Sequence, residues 1–332
     1  MKRLQIVIGI AVSAVCLWLS MRDVDPRAVA MALSHANYLG FAAAVATTIL
    51  GFWLRAVRWR SLIASPRRLT TESLFSATMI GFMANNILPL RLGEFVRPWA
   101  LSRREGLSKS TLLATVVVER AVDMLTLLAI LGLALFVHPI SAATEAGRMT
   151  RAGAGVLVAT CVGLTLFVVA LERSPRLAAA AIGRLSAPLP ERVRARVAGM
   201  LTHFVEGLGL FRDLPRLAWV FLLSFLMFAV VVVGLQASLW ALGIDLPWYA
   251  GLVMLVITAI GIMVPAAPGY IGTMNVACIA GLALFAVGKD RAVPFSWFYW
   301  ASQWLPVTLV GFICLQREGI SLRTLGRAQE NA

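Results

Sequence analysis

The chain has 332 residues, 60% of them apolar and 14% charged, with a mean hydropathy of +0.83; a soluble domain, with about 25% charged residues, is excluded. The formal charge of +14 sits mainly in short stretches between apolar segments, where Lys and Arg act as topology signals. Nucleic acid is therefore not an expected partner.

Six segments are apolar enough and long enough to span a bilayer, which takes about 20 helical residues: 4–20, 39–57, 110–137, 152–171, 217–242 and 295–315. The first follows Lys2 and Arg3 but ends in Leu19, Ser20, Met21 and Arg22. It has no small-residue cleavage site, so it reads as an uncleaved helix rather than a signal peptide. Two further segments, 73–102 and 248–287, are apolar but broken by Asn, Pro and Gly. Arg58, Arg60, Arg67 and Arg68 precede the first of these and Arg103, Arg104 and Lys109 follow it. The positive-inside rule puts both flanks in the cytoplasm, which predicts a re-entrant hairpin. Its apex holds Asn85, Asn86, Pro89, Arg91, Gly93, Glu94 and Arg97. Irregular backbone at that depth needs protein or a cavity around it. The second hairpin enters from the outer face, with an apex from Val264 through Pro265, Ala266, Ala267, Pro268, Gly269, Tyr270 and Ile271 to Gly272.

The expected fold is an all-α polytopic membrane protein of six spanning helices and two re-entrant hairpins, arranged as an inverted repeat. Within a single membrane domain covering 1–332, the parts are a first helix and outer loop (1–38), repeat 1 (39–137), a connecting span and cytoplasmic amphipathic region (138–216), repeat 2 (217–315) and a tail (316–332). The alternative is that each hairpin is a kinked pair of short spans. With both termini cytoplasmic, 21 Lys and Arg fall inside, 6 outside, and Arg91, Arg97 and Arg120 lie within the membrane. The arginine-rich stretch 172–216 reads as amphipathic helices on anionic lipid, or as a linker.

Charges inside a bilayer are costly and point to function. Arg91, Glu94 and Arg97 are spaced by three, so Glu94 is expected to face Arg97. Glu119, Arg120 and Asp123 lie about 15 Å into their span, near the bilayer centre. Together these residues read either as a basic pocket for an anionic lipid group or as a salt-bridge network that serves packing alone. Arg55, Arg58 and Trp59 read as interfacial anchors, Trp297, Trp300 and Trp304 as belt and packing residues, and Gln236 and Gln303 as interhelical hydrogen bonders. Cys16, Cys161, Cys278 and Cys314 lie in apolar segments as small core residues. His35, His138 and His203 lie far apart, and no phosphate-binding loop, dinucleotide fingerprint, Gly-x-Ser-x-Gly or His-Glu-x-x-His occurs. No enzyme, cofactor or metal is expected.

The run from Asn85 to Arg97, the Glu119, Arg120, Ala121, Val122, Asp123 cluster and the run from Pro265 to Gly272 together resemble the flippase-like family. This family comprises the transmembrane region of lysylphosphatidylglycerol synthases and their stand-alone relatives. The resemblance covers nearly the whole chain. Bifunctional members carry a soluble aminoacyl-transferase domain after the membrane region, whereas this chain ends at Ala332, so the resemblance implies lipid translocation without lysylation. The expected function is flipping of an anionic lipid or lipid-linked envelope precursor across the cytoplasmic membrane. The expected substrate-binding set is Arg91, Glu94, Arg97, Glu119, Arg120, Asp123, Asn85, Asn86, Pro268, Gly269 and Gly272. The expected partners are membrane lipids, with a homo-oligomer or a lipid-biosynthesis enzyme as further candidates. The competing readings are a non-transporting scaffold for such an enzyme, acting through 172–216, and a membrane enzyme with Glu119 or Asp123 as base.

Overall fold

The computed structural model describes residues 2–22, 24–63, 69–88, 92–137, 213–264 and 267–321, and three isolated positions between 137 and 213. The span expected at 152–171 and the amphipathic region at 172–216 fall almost entirely outside the described residues, as do Pro89 and Arg91. Among the described residues every regular element is helical: α1 (Lys2–Met21), α2 (Pro26–Ser34), α3 (Tyr38–Leu62), α4 (Thr71–Ile87), α5 (Gly93–Glu105), α6 (Lys109–Val137), α7 (Leu214–Ala241), α8 (Ala250–Met263), a 3-10 turn (Pro268–Tyr270), α9 (Thr273–Ala283) and α10 (Lys289–Arg317).

Local chemistry sets most of these boundaries. The Asp25 side chain accepts from Arg27 N and Pro26 fills the first position of α2, a short helix not anticipated from hydropathy. Asn37 caps α3 by accepting from Leu39 N, Thr70 caps α4 by accepting from Ser73 N, and Asp213 caps α7 by accepting from Arg216 N. Each side-chain oxygen satisfies a backbone N–H that the first turn of a helix leaves without a partner. Gly106 ends α5 in a left-handed conformation, at φ 70°, which its missing Cβ permits.

Three described helices, Tyr38–Leu62, Pro215–Ala241 and Lys289–Arg317, are long and apolar enough to cross a membrane. Helix α6 is also 29 residues long, about 43 Å at 1.5 Å per residue, but it carries Glu119, Arg120 and Asp123 in its middle. The protein is thus an all-helical membrane protein.

Helices α3 and α7 pack antiparallel along their length. Asn37 N donates to Ala241 O at one end and Arg216 Nε to Ser61 O at the other. The approach depends on small residues, since a Cβ on Gly40 would fall 2.5 Å from Ala241 Cβ, and one on Gly234 2.5 Å from Thr47 Oγ1. In lipid, where helix association draws little from the hydrophobic effect, such close backbone contact supplies the van der Waals energy. One buried cluster joins Trp59, Leu74, Met79, Ile80, Met83, Leu101 and Leu112; a second joins Leu235, Met254, Cys278, Leu282, Phe295 and Tyr299. Cys16, Cys278 and Cys314 are free, the last two buried.

Candidate functional site

A cluster of ionised side chains lies where α3, α5, α6 and α7 meet. Helix α6 contributes two carboxylates, Glu119 and Asp123, one turn apart on the face toward α3. Asp123 Oδ1 accepts from Arg58 Nη1 at 2.5 Å, and its other oxygen lies 3.3 Å from both Arg55 and Arg120. Glu119 Oε1 is 3.0 Å from Arg55, 3.0 Å from Arg120 and 3.2 Å from Arg58, while Oε2 accepts from Arg97 Nη1 at 2.8 Å. Arg58 also donates to Ser224 Oγ on α7 at 2.6 Å. Both Arg58 and Glu119 have fully buried side chains.

Two sequence expectations are corrected here. Arg55 and Arg58 are not interfacial anchors; both pair with the α6 carboxylates, and Arg58 is wholly enclosed. The usable signal was helix length. Helix α3 continues to Leu62, so Arg55 lies two turns inside its end, on the same face as Arg58. Glu94 does not pair with Arg97 either. Its carboxylate lies 3.9 Å from Arg120, because Arg97 turns the other way and stacks over the Trp59 ring at 3.8 Å. Trp59 is itself fixed by donating to Thr115 Oγ1 on α6 at 2.8 Å. The i, i+3 contact between Arg120 and Asp123 is present.

Four guanidiniums, from Arg55, Arg58, Arg97 and Arg120, therefore face three carboxylates, from Glu94, Glu119 and Asp123. One positive charge is left over among the described residues. Among those residues, Nε and Nη2 of Arg97 have no hydrogen-bond partner, and neither does Nε of Arg58. The two Arg97 nitrogens form one edge of the planar fork that suits a bidentate oxyanion.

The first hairpin adjoins this cluster through Glu94 and Arg97, and the second packs against the first. Asn85 Oδ1 accepts from Gly93 N at 2.7 Å, so it caps α5 and closes the first hairpin. Asn86 Nδ2 donates to Thr308 Oγ1 on α10 at 3.0 Å. In the second hairpin, Pro268 opens the 3-10 turn and Gly269 takes φ 73°, a conformation that only glycine adopts freely. Gly269 O accepts from Trp300 Nε1 at 2.9 Å. A Cβ on Gly269 would lie 2.7 Å from Trp304 Nε1 and 3.4 Å from Asn86 O, so the two apices lie against each other. Gly272 N donates to Asn275 Oδ1 at 3.1 Å, and the turn is seated on α1, where Ala267 N donates to Ser13 Oγ at 2.8 Å. Gln303 Nε2 donates to Thr48 Oγ1 at 2.8 Å, the expected interhelical bond, whereas Gln236 Oε1 has no partner among the described residues. Of the expected set, Arg97, Glu119, Arg120, Asp123 and Glu94 form one cluster, and Asn86 and Gly269 meet at the apices. Asn85 and Gly272 hold turns, and Arg91 lies outside the described residues.

Comparison with known proteins identifies the family. The sequence model of the family described as the lysylphosphatidylglycerol synthase TM region matches residues 6–311. A curated protein of Haloferax volcanii named Glycosyltransferase AglD is 26% identical over 312 residues, covering 86% of this chain and 50% of the relative. The chain thus spans about half the length of that relative. No solved structure matches. With the match running through both hairpins and all the charged positions of the cluster, the chain belongs to the family of the lysylphosphatidylglycerol synthase transmembrane region.

Proposed function

We propose that the protein moves an anionic lipid or lipid-linked envelope precursor across the cytoplasmic membrane, its charged group passing through the Arg97 cluster, without a covalent step. The observation that carries this reading is the buried, net-positive cluster itself. Ionised groups in the middle of membrane helices cost several kcal/mol unless paired, and here the pairing leaves the Arg97 fork with two unused donors. The family match supports a lipid as the ligand class. The relative's name, a glycosyltransferase, makes a lipid-linked sugar one candidate substrate.

An inverted repeat is part of the proposal, and the spacing of the elements supports it. Helices α5 and α9 begin at 93 and 273, and α6 and α10 at 109 and 289, a separation of 180 in both cases. The last two are each 29 residues long. The hairpins also close on the same contacts. A Cβ on Gly81 would meet Arg97 Cβ at 2.7 Å and Gly93 O at 3.0 Å, and one on Gly261 would meet Ala277 Cβ at 2.4 Å and Thr273 O at 3.3 Å. Gly81, Gly93 and Arg97 are each 180 residues before Gly261, Thr273 and Ala277. Helices α3 and α7, the corresponding members of the two halves, pack antiparallel on each other, as a twofold axis in the membrane plane requires. The same offset places Ala277, Tyr299, Trp300 and Gln303 where repeat 1 has Arg97, Glu119, Arg120 and Asp123. The charged site therefore belongs to one repeat only, and the hairpins, re-entrant from opposite faces, would expose it to each side in turn. The distribution of Lys and Arg supports cytoplasmic termini as part of this reading.

The test is a quench-based translocation assay on the purified chain in liposomes. The panel would carry labelled phosphatidylglycerol, phosphatidylethanolamine and a polyprenyl-phosphate sugar. Headgroup-selective movement of an anionic member is expected. Equal movement of every lipid, or of none with folded protein, would overturn the reading.

A further inference from the structure

A second group of donors lies away from the Arg97 cluster, where α4, α5 and α10 converge at the end of the α10 span. A cavity of about 430 Å³ opens there, lined by Glu72, Phe75 and Ser76 of α4, Arg104 of α5, and Val310, Ile313, Cys314, Arg317 and Glu318 of α10 and its cap. Its wall is divided. Phe75, Val310 and Ile313 are apolar, and Ile313 is exposed on the outer surface of α10; Ser76, Arg104 and Arg317 supply hydrogen-bond donors, and the carboxylates of Glu72 and Glu318 balance the two guanidiniums.

The Glu318 carboxylate already holds two of those donors. Its Oε1 accepts from Ser76 Oγ at 2.8 Å and from Arg104 Nη1. A hydroxyl and a guanidinium converging on one anionic oxygen, with a second arginine on the same wall, is the arrangement that binds phosphate oxygens. Glu318 lies just past the last helical residue of α10, Arg317, as its backbone-bonded C-cap, so a rotation of its side chain alone can withdraw the carboxylate without disturbing the span. The Ser76 hydroxyl lies on a buried face of α4 and stays in place.

We propose that this cavity is a second phosphate-binding site, opening at the membrane surface, in which Glu318 occupies the donors until the phosphate of a lipid head displaces it. Arg104, Arg317 and Ser76 take the phosphate oxygens, and the first methylenes of the lipid chains lie along Phe75, Val310 and Ile313. The apolar wall selects a lipid over free phosphate. The site rests on the translocation reading only in having a lipid as its source, and its occupancy is measured without any transport.

The experiment is native mass spectrometry of the full-length chain in detergent micelles, titrated with phosphatidylglycerol, with diacylglycerol of the same chains, and with inorganic phosphate as competitor. Glu318→Gln keeps the shape of the side chain and removes the competing charge. Because hydrogen bonds to charged groups are the stronger ones, it should tighten phosphatidylglycerol binding about tenfold. Arg104→Ala and Ser76→Ala should weaken it, with Ser76→Ala the smaller loss. Diacylglycerol should show no gain in Glu318→Gln. Unchanged affinity in Glu318→Gln, or an equal gain for diacylglycerol, would overturn the site. A gain for inorganic phosphate alone would overturn its assignment to a lipid. Failure here with intact lipid movement in liposomes would leave the Arg97 reading standing, and the reverse result would separate them equally well.

Discussion

The burial of Arg58 makes a quantitative prediction about the stability of the fold. Its side chain is fully enclosed, with Nη1 held by Asp123 at 2.5 Å and Ser224 at 2.6 Å, and Nη2 3.2 Å from Glu119. Arg58→Met keeps the aliphatic bulk but removes the charge nearest to Asp123 and one of the four guanidiniums around Glu119. Removing one partner of a buried ion pair costs about 3–5 kcal/mol because the other charge stays desolvated. Asp123 keeps Arg55 and Arg120, each at 3.3 Å, so the lower end, about 3 kcal/mol, is expected. The assay is reversible unfolding in mixed micelles by titration with a denaturing detergent, followed by far-ultraviolet circular dichroism. A cycle with Asp123→Asn should return a coupling energy of about 1–3 kcal/mol, as for residues in one ion-pair network. A loss below about 1 kcal/mol would be the behaviour of an exposed interfacial arginine and would refute the buried-network account.

Three further outcomes follow from the geometry. Trp59→Ala empties a fully buried ring site under Arg97 and should cost about 3–5 kcal/mol, while Trp59→Phe, which keeps a π-face, should cost less; the same unfolding titration reads both. Asn85→Ala removes the cap on Gly93 N and should destabilise the protein by about 1 kcal/mol, read as a lower unfolding midpoint and faster amide exchange in the first turn of α5. Gly269→Ala imposes a Cβ at positive φ, 2.7 Å from Trp304 Nε1, and should cost more than the roughly 1 kcal/mol of the backbone strain alone, as thermal unfolding would read.

Much of the scaffold was legible because hydropathy and breaker residues carry the information directly. The segments 39–57 and 217–242 became α3 and α7, and the broken segments 73–102 and 248–287 each divided into two helices, α4 and α5 in the first and α8 and α9 in the second. The site was legible by half. Glu119, Arg120 and Asp123 announced themselves by sitting inside an apolar run. Arg55 and Arg58 did not, because an arginine near a span end reads as a topology signal until the helix boundary at Leu62 is known. The direction Arg97 takes was hidden for another reason. Helical spacing offers it Glu94, but its actual partners, the Trp59 ring and Glu119, are supplied by α3 and α6, and no local pattern encodes a choice between them. Asn85 and Asn86, expected at the hairpin apex, lie in the last turn of α4, and only the packing shows that one closes its own hairpin while the other reaches α10.

The central claim is that the Arg97 fork handles the charged group of a moving lipid, and the most direct measurement is the rate of labelled phosphatidylglycerol movement in liposomes for the wild-type chain, Arg97→Lys and Arg97→Ala. Each protein would first be shown to be folded by its unfolding midpoint. The account expects loss of movement in Arg97→Ala and only partial recovery in Arg97→Lys, which restores the charge but not the planar pair of donors. Wild-type rates in a folded Arg97→Ala protein would contradict it.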